Sequence, residues 1–245
     1  MKSVILILTA LFIGVPLANA DVYLRHEVHT DGYYYGGENT PPRDRTYEVW
    51  IGEKKMAVLY EHRTIIFDLN RNMLTFINVD DSTYAETTLP LDWSNLLSEE
   101  EAARVRMFQT VGIVGETEET MEIDGRECEA YELTTWIPYE GSRYNETDTN
   151  GWLTADLPFD VETYEELEVH NLRLQNMKEE LLEEVTKKRG YPIALEDKTY
   201  VKGFSVRTTN DVVEIAEKDA PAGVYSAPEG FTKKEKLSLG DLMGR

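Results

Sequence analysis

The sequence has a single cysteine, Cys128, among its 245 residues. One cysteine excludes an internal disulfide, so packing must stabilise the fold. The flanking acids Glu127 and Glu129 would raise the pKa of the thiol rather than lower it, which disfavours a reactive thiolate. We therefore interpret Cys128 as a small buried strand residue. The alternatives are a nucleophile or a thiol that pairs between molecules.

Basic residues are also scarce. The chain has 25 lysines and arginines against 46 aspartates and glutamates, which gives a formal net charge of -21. A negative field of this size repels phosphate backbones and excludes nucleic acids as partners. The acids are mixed with apolar residues, and 41% of the chain is hydrophobic, which predicts a folded domain rather than a disordered one.

Motifs for catalysis and metal binding are missing. The chain has four histidines, and two of them, His26 and His29, lie three positions apart in a predicted strand and so point to opposite faces. No His-Glu-x-x-His motif, Cys/His cluster or Gly-x-Ser-x-Gly motif occurs. We therefore expect no catalytic residue, no metal site and no cofactor. The alternative is a hydrolase with clustered acids in a cleft.

Long hydrophobic runs are absent after the first twenty residues. Lys2 precedes an apolar run at residues 4–13, and Ala18-Asn19-Ala20 has the small-x-small form of a cleavage site. The run is shorter than the ~20 residues that a spanning helix needs. This order predicts a signal peptide over residues 1–20, cleaved after Ala20. Residues 21–245 are then expected to form one exported domain that does not span a membrane.

Short alternating segments dominate the rest of the chain. Turn residues separate five such segments between residues 47 and 87, and no helical pattern intervenes. Spacing of this kind predicts an antiparallel meander, because parallel strands need long crossovers. Further strands are predicted at residues 22–28, 111–114, 120–123, 128–136, 152–155, 193–196, 199–208 and 211–216. Tyr225 and Phe231, in the Pro/Gly-rich tail, are candidates to dock onto the sheet.

Residues 31–45 are predicted to be a loop, because glycines and prolines are concentrated there. Three consecutive tyrosines, Tyr33, Tyr34 and Tyr35, stand between the glycines of this segment. Aromatic side chains are efficient contact residues, so they could form a binding rim. Equally, the loop could fold back onto the sheet.

Residues 138–151 are also predicted to be a loop. Within them, four residues alternate like the first half of a calcium loop: Glu146, Asp148, Asn150 and Gly151. The twelfth position, where a bidentate glutamate belongs, is Leu157. A solvated hairpin turn explains the Glu146–Gly151 stretch as well, so the sequence leaves calcium binding undecided.

Two helices are predicted. Ser98 and Glu101 have the spacing of a capping box, which starts a short helix that runs to about residue 109. A long helix is predicted from Asp160 or Thr163 to about Lys188, before Gly190. Its apolar stripe consists of Leu174, Met177, Leu181 and Val185. Some 28 residues make a helix of roughly 40 Å, which is longer than a strand, so it must cross the sheet diagonally, bend or overhang it.

Several stretches together resemble a known family. They are Tyr47-Glu-Val-Trp-Ile-Gly-Glu-Lys-Lys-Met, Thr64-Ile-Ile-Phe-Asp-Leu, Thr83-Tyr-Ala-Glu, Asp124-Gly-Arg-Glu-Cys-Glu-Ala-Tyr, the segment 152–159 entering a helix, Gly190-Tyr-Pro-Ile and Ala227-Pro-Glu-Gly-Phe. This pattern, over about residues 45–236, resembles secreted bacterial proteins of unknown function whose fold is similar to the outer-membrane lipoprotein carrier and its receptor.

The resemblance implies a mainly β fold with helices (α+β). A strongly curved antiparallel sheet would form a half-open barrel, covered by the short helix and the one long helix. In the carrier proteins the concave face holds acyl chains. For this chain the resemblance implies a periplasmic location and a sheet of a shape that can leave an apolar cavity under the helices.

We therefore expect a non-enzymatic periplasmic protein that holds a lipid or an acylated peptide between sheet and helix. The apolar residues expected to line its cavity are Val49, Ile51, Ile65, Phe67, Leu69, Phe76, Leu174, Met177, Leu181, Phe204 and Val206. The alternative is that these side chains fill one another's space, as most interiors do. The protein would then be a cell-envelope module that binds another protein.

Overall fold

The computed structural model describes residues 21–201 and 203–243, and strands make up most of them. The strands are β1 (Asp21–Thr30), β2 (Tyr33–Tyr35), β3 (Glu38–Thr40), β4 (Arg43–Gly52), β5 (Lys55–Leu59), β6 (Arg63–Asp68), β7 (Met73–Asn78), β8 (Thr83–Thr88), β9 (Val111–Val114), β10 (Thr120–Ile123), β11 (Arg126–Tyr139), β12 (Ser142–Thr154), β13 (Tyr191–Val201), β14 (Phe204–Lys218) and β15 (Thr232–Lys233). The helices are α1 (Trp93–Leu96), α2 (Glu99–Met107), α3 (Val161–Leu174), α4 (Glu179–Val185) and α5 (Leu239–Met243). The predicted signal peptide, residues 1–20, lies outside the described residues.

Thirteen of these strands form one large curved sheet, in the order β10-β11-β12-β13-β14-β1-β4-β5-β6-β7-β8-β15, with β9 also paired to β11. Strands β4 to β8 pair antiparallel in chain order, which confirms the predicted meander. Strand β1 lies between β4 and β14 and so joins the meander to the second half of the chain. The end strands β10 and β15 do not pair with each other, so the sheet is not closed.

One face of the sheet, called the helix face here, packs against the helices. Alternate residues of each strand point to it, and its centre includes the fully buried Leu24, Phe67 and Phe76. Leu96, Ala102 and Leu167 from α1, α2 and α3 complete this core. A second apolar cluster lies where α3 and α4 meet β11 and β12; it contains Tyr131, Leu133, Leu153, Leu172, Leu181, Leu182 and Val185.

The opposite face, called the tail face here, is covered by the chain after β14. Tyr23, Trp50 and Ile66 are buried on it. Tyr225 and Phe231 pack against this cluster, which confirms that the tail docks onto the sheet. Both faces are therefore covered, and strands β4 to β7 bury residues in both directions.

Helix α2 begins where the capping box predicts. The backbone N–H of Glu101 donates to Ser98 Oγ at 3.3 Å, and the Ser98 hydroxyl donates to the Glu101 carboxylate at 2.6 Å. Cys128 is buried in β11, as its interpretation as a strand residue requires. No helix among the described residues is both long enough and apolar enough to cross a membrane.

The prediction of one long helix is wrong, because residues 175–178 interrupt it and leave α3 and α4. Asn176 has a φ of 58°, in the left-handed region that ends helices. Its backbone carbonyl accepts from the Thr110 N–H, and the Lys178 N–H donates to the Thr110 carbonyl. Its side-chain amide donates to the carbonyls of Val105 and Phe108 at 2.8 and 3.1 Å. Contacts with a distant segment therefore break the helix.

The prediction of a loop at residues 138–151 is also wrong, because β11 and β12 continue through it as a hairpin. Its turn is Glu140-Gly141, whose φ values of 48° and 78° fit the type I′ turn of a two-residue hairpin. The Glu146–Gly151 stretch lies in β12, with ladders to β11 and β13, and is therefore not a calcium loop. Hydroxyl contacts of Thr147 and Thr149 with β13 stabilise this polar strand.

The predicted loop at residues 31–45 instead contains a short hairpin, formed by β2 and β3, and the first residues of β4. Strands β2 and β3 pair with each other around Gly36 and Gly37, both of which have a positive φ. Tyr33 and Tyr35 contact the ring of Phe204, at centroid distances of 5.3 and 5.1 Å. Two of the three tyrosines therefore fold back, while Tyr34 is 68% exposed.

Candidate functional site

Two neighbouring cavities lie between the sheet and α3. The first, called the Tyr131 cavity, has a volume of about 520 Å³, and its apolar wall includes Tyr131, Leu133, Leu153, Leu172, Met177 and Leu195. The second, called the His26 cavity, has a volume of about 390 Å³. Both volumes fall in the range of roughly 300–1,000 Å³ that small-molecule sites occupy.

The two cavities share part of their walls. Tyr164, Glu168 and Gln175 of the α3 segment border both, as do Pro192 and Leu195 of β13. Gln175 is exposed, so the cavities reach the surface beside the junction of α3 and α4. Asn145 and Thr186 are also exposed and border the Tyr131 cavity. A ligand could therefore enter without unfolding of the sheet.

The eleven residues that the sequence suggested as a lining are not all at these cavities. Val49, Ile65, Phe76 and Leu174 border the His26 cavity, and Met177 borders the Tyr131 cavity. Ile51 and Phe67 are buried within the solid core of the helix face, and Leu69 packs against it. Leu181 is buried in the cluster at α4, Phe204 contacts the tyrosine hairpin, and Val206 is half-buried in β14. That these side chains hold a ligand stays a prediction.

His26 is the centre of a hydrogen-bonded group at the His26 cavity. Its side chain is 2% exposed; Nε2 lies 2.7 Å from the Tyr191 hydroxyl, and Nδ1 lies 3.0 Å from Asn210 Oδ1. Because the amide oxygen can only accept, Nδ1 carries the proton and Nε2 accepts from Tyr191. Burial lowers the pKa of His26 to about 4, partly offset by the bond to Asn210. The imidazole is therefore neutral, with both nitrogens occupied.

Aromatic rings surround this group. Tyr47 stacks on His26 at a centroid distance of 4.2 Å and lies 5.2 Å from Tyr60. Tyr164 and Tyr191 are 4.9 Å apart. Burial raises the pKa of each of these four tyrosines, so their hydroxyls remain neutral hydrogen-bonding groups.

Glu168 is the carboxylate in the wall that the cavities share. It keeps some accessible surface because it borders both cavities, but protein atoms surround it otherwise. Burial raises its pKa to about 7, and hydrogen bonds from Asn171 and Tyr164 offset part of this effect. The Asn171 amide lies 3.3 and 3.2 Å from the two carboxylate oxygens. Glu168 therefore titrates near neutral pH inside the protein.

A second acid borders the Tyr131 cavity. The Thr149 hydroxyl donates to Asp197 at 2.6 Å. Burial raises the pKa of Asp197, and the hydrogen bond from Thr149 offsets part of that rise. The walls of the site are thus largely apolar and aromatic. Three acids, Glu165, Glu168 and Asp197, and one cationic side chain, Lys188, also border the Tyr131 cavity.

Sequence reasoning missed Tyr131, Glu168 and the group around His26. A signal for Glu168 exists, because it occupies the inward stripe of α3 with Tyr164 and Leu167, four and one positions before it. An acid on an apolar stripe marks a site where a charge is held inside. Tyr131 carries no comparable signal, because its partners α3 and β13 are distant in sequence.

Among the described residues, no group of three or more His, Cys, Asp or Glu side chains is placed to hold a metal ion. His29 and His62 instead form surface contacts with Asp44 and Asp80, at 2.6 and 3.0 Å. Neither a protein-family model nor a curated protein matches this sequence. The geometry of the cavities is therefore the basis for any statement of function.

Proposed function

We propose that this is an exported periplasmic protein that holds an apolar ligand, a lipid or an acylated peptide, between its sheet and α3 and α4, without catalysis. The observation that carries the proposal is the pair of adjoining cavities, of about 520 and 390 Å³, that reach the surface at Gln175. Apolar space of this size is a ligand site in many proteins. A fully packed interior would not leave it.

Three further observations support binding rather than chemistry. Both nitrogens of His26 are occupied by hydrogen bonds, so the imidazole is not free to act as a base. The tyrosines around it keep their protons at neutral pH, because burial raises their pKa. Cys128 is buried, and its pKa is raised by burial, which disfavours a thiolate nucleophile.

The periplasmic location rests on the sequence pattern of residues 1–20 and on the resemblance to the lipoprotein carrier. We also propose that the sheet forms a half-open barrel, since it is curved and its end strands do not pair with each other. In this proposal α3 and α4 together cover the sheet, where the sequence predicted one long helix.

Native mass spectrometry of freshly purified protein, with uptake of a fluorescent fatty acid as a second measurement, tests the proposal. We expect a bound apolar species or saturable uptake. Gln175→Trp should block the entrance and reduce uptake, since Gln175 is exposed and borders both cavities. Glu166→Trp, at an exposed position of the same helix outside both linings, is the matched control.

Ligand-free spectra together with no uptake would contradict the proposal. That result would favour the alternative, an envelope module that binds a protein partner. Equal uptake by the wild type and by Gln175→Trp would place the binding site elsewhere on the protein and would also contradict it.

A further inference from the structure

The polar end of the proposed ligand can be inferred from the surroundings of Glu168. Five tyrosines lie close enough for the negative charge of Glu168 to raise their pKa: Tyr47, Tyr60, Tyr131, Tyr164 and Tyr191. They come from α3 and from different parts of the sheet. The carboxylate therefore stands at the point where the two cavities meet, among aromatic rings.

No basic side chain among the described residues forms an ion pair with Glu168. Arg63 borders the His26 cavity, but it stacks over Tyr60 at 4.8 Å and donates to the Leu242 carbonyl at 2.7 Å. Arg189 pairs with Glu165 at 3.0 Å. The partners of Glu168 are the neutral Asn171 and Tyr164. The site thus presents a negative charge that the protein itself does not neutralise.

We propose that the cavities take an amphiphile with a positively charged ammonium head group, which lies against Glu168 between the tyrosine rings. The apolar chain would then lie in the Tyr131 cavity. Cations are attracted both to a carboxylate and to the faces of aromatic rings, and aromatic cages bind quaternary ammonium groups in this way. This inference rests on the proposed function and specifies its ligand class.

An anionic head group fits the same place poorly. Glu168 and Asp197 would repel it from the interior, and the chain as a whole has a net charge of -21. Lys188 is the basic residue that borders the Tyr131 cavity, but it does not border the His26 cavity and is not part of the wall that the two share. A neutral head group would leave the carboxylate without a counter-ion.

The preference for an ammonium head group should depend on pH, because Glu168 titrates. The titratable and charged groups that line the cavities with it are Tyr164 and Glu165 on α3, Lys188 after α4, His26 on β1, Tyr47 on β4, Tyr60 after β5, Arg63 on β6, Tyr131 on β11, and Tyr191 and Asp197 on β13. His26 is neutral above about pH 4, and the tyrosines remain protonated at neutral pH. Glu168 loses its proton near pH 7, so ammonium binding should strengthen as the pH rises through that region.

The test is displacement of an uncharged fluorescent acyl probe, such as a fluorescently labelled fatty alcohol, by three amphiphiles with the same chain: dodecyltrimethylammonium, dodecanol and dodecanoate. At about pH 8.5 we expect the ammonium compound to bind the wild type about tenfold more tightly than the alcohol, the size of effect a desolvated cation–π contact supplies. The preference should shrink at about pH 5.5, where Glu168 is protonated. Glu168→Gln should lose the preference and its pH dependence.

Glu166→Gln is the matched control, because it removes one acid from an exposed position of the same helix that borders neither cavity, and it leaves Glu168 in place. An acidic surface attracts any cation, and a preference that survives in Glu168→Gln would show only this surface effect and overturn the inference. Equal binding of the ammonium compound and the alcohol would also overturn it, while the proposed function would stand. Failure of the probe itself to bind would instead contradict the proposed function. The pH profile of the wild type keeps the test valid even if Glu168→Gln does not fold.

Discussion

At the scale of single residues, Glu168 and His26 link the stability of the fold to pH in opposite directions. The pKa of Glu168 is raised from 4.5 to about 7, so the folded protein holds a proton that the unfolded chain loses. The free energy of unfolding therefore falls as the pH rises through this window. The pKa of His26 is lowered from 6.5 to about 4, so here the unfolded chain holds the extra proton. Its contribution to stability is lost as the pH falls through that window.

We therefore predict that the pH dependences of the free energy of unfolding due to Glu168 and to His26 largely cancel between about pH 4.5 and 6.5. In Glu168→Gln, the pH dependence due to His26 should then become visible. The stability of Glu168→Gln relative to the wild type should increase by roughly 3 kcal/mol between about pH 4.5 and 7.5. Urea unfolding at intervals across this range measures it, with Glu166→Gln, at an exposed position outside both cavities, as the control. A constant difference between Glu168→Gln and the wild type would show that Glu168 is not held in a desolvated place.

Cys128 provides a second test at this scale. Its side chain is 0% exposed, its thiol donates to the Arg126 carbonyl at 3.4 Å, and burial raises its pKa. We expect no reaction of the native protein with a thiol reagent at neutral pH, and reaction of one thiol per chain in urea. Because the sequence contains no other cysteine, all labelling of the protein reports on Cys128. Rapid labelling of the native protein would contradict the burial of this strand.

At the scale of elements, Asn176 decides where α3 ends. It holds a left-handed φ of 58° and bonds two carbonyls at the end of α2. Asn176→Ala should lower the free energy of unfolding by about 2–3 kcal/mol, because it adds backbone strain and removes the hydrogen bonds to the Val105 and Phe108 carbonyls. Asn176→Gly removes the same hydrogen bonds without the strain and should cost about 1 kcal/mol less. Urea unfolding of both variants is the measurement, and equal costs would exclude the strain.

The same residue shows why part of the architecture could be predicted and part could not. The meander of β4 to β8 and the start of α2 depend on alternation, turns and a capping box, which are local in sequence. The break at residues 175–178 depends on the pairing of Asn176 and Lys178 with Thr110, more than sixty positions away. Helical periodicity continues across the break, so the sequence alone favours one helix.

The residues of the candidate site were also predictable only in part. Val49, Ile65, Phe76, Leu174 and Met177 border the cavities, and each was identifiable as an inward-facing apolar residue. Periodicity cannot tell a cavity wall from a packed core, so Ile51 and Phe67 had the same signal and lie in the solid interior. Tyr131 and Tyr191 come to the site only through the order of the strands in the sheet.

At the scale of the whole molecule, the sheet separates two different environments. The tail face is closed by the chain after β14, with Tyr225 and Phe231 against Trp50 and its neighbours. The helix face is packed around Leu24 and Phe67 but leaves the two cavities beside α3, and the His26 cavity borders strands β4 to β7 of the meander. The side of the fold with interior space is thus the side whose cover consists of short, separate helices.

The acidic surface surrounds this whole arrangement and makes its stability depend on salt. The net charge is -21, and most of the ion pairs join exposed side chains, such as Arg25 with Glu27 and Arg207 with Glu196. Pairs of that kind contribute little, about 0–1 kcal/mol each, whereas repulsion among the excess acids acts over the whole surface. Added salt screens both, but the repulsion is the larger effect.

We therefore predict that the melting temperature rises as sodium chloride is increased from about 10 mM to 300 mM at neutral pH, because the screening length falls from about 30 Å to less than about 8 Å. Most of the rise should occur below about 150 mM, where screening changes fastest. Potassium chloride at equal ionic strength is the control, since a screening effect does not depend on the cation, whereas a specific sodium site does. A melting temperature that falls with salt would mean that the surface ion pairs outweigh the repulsion, and the acidic excess would then not be a cost to the fold.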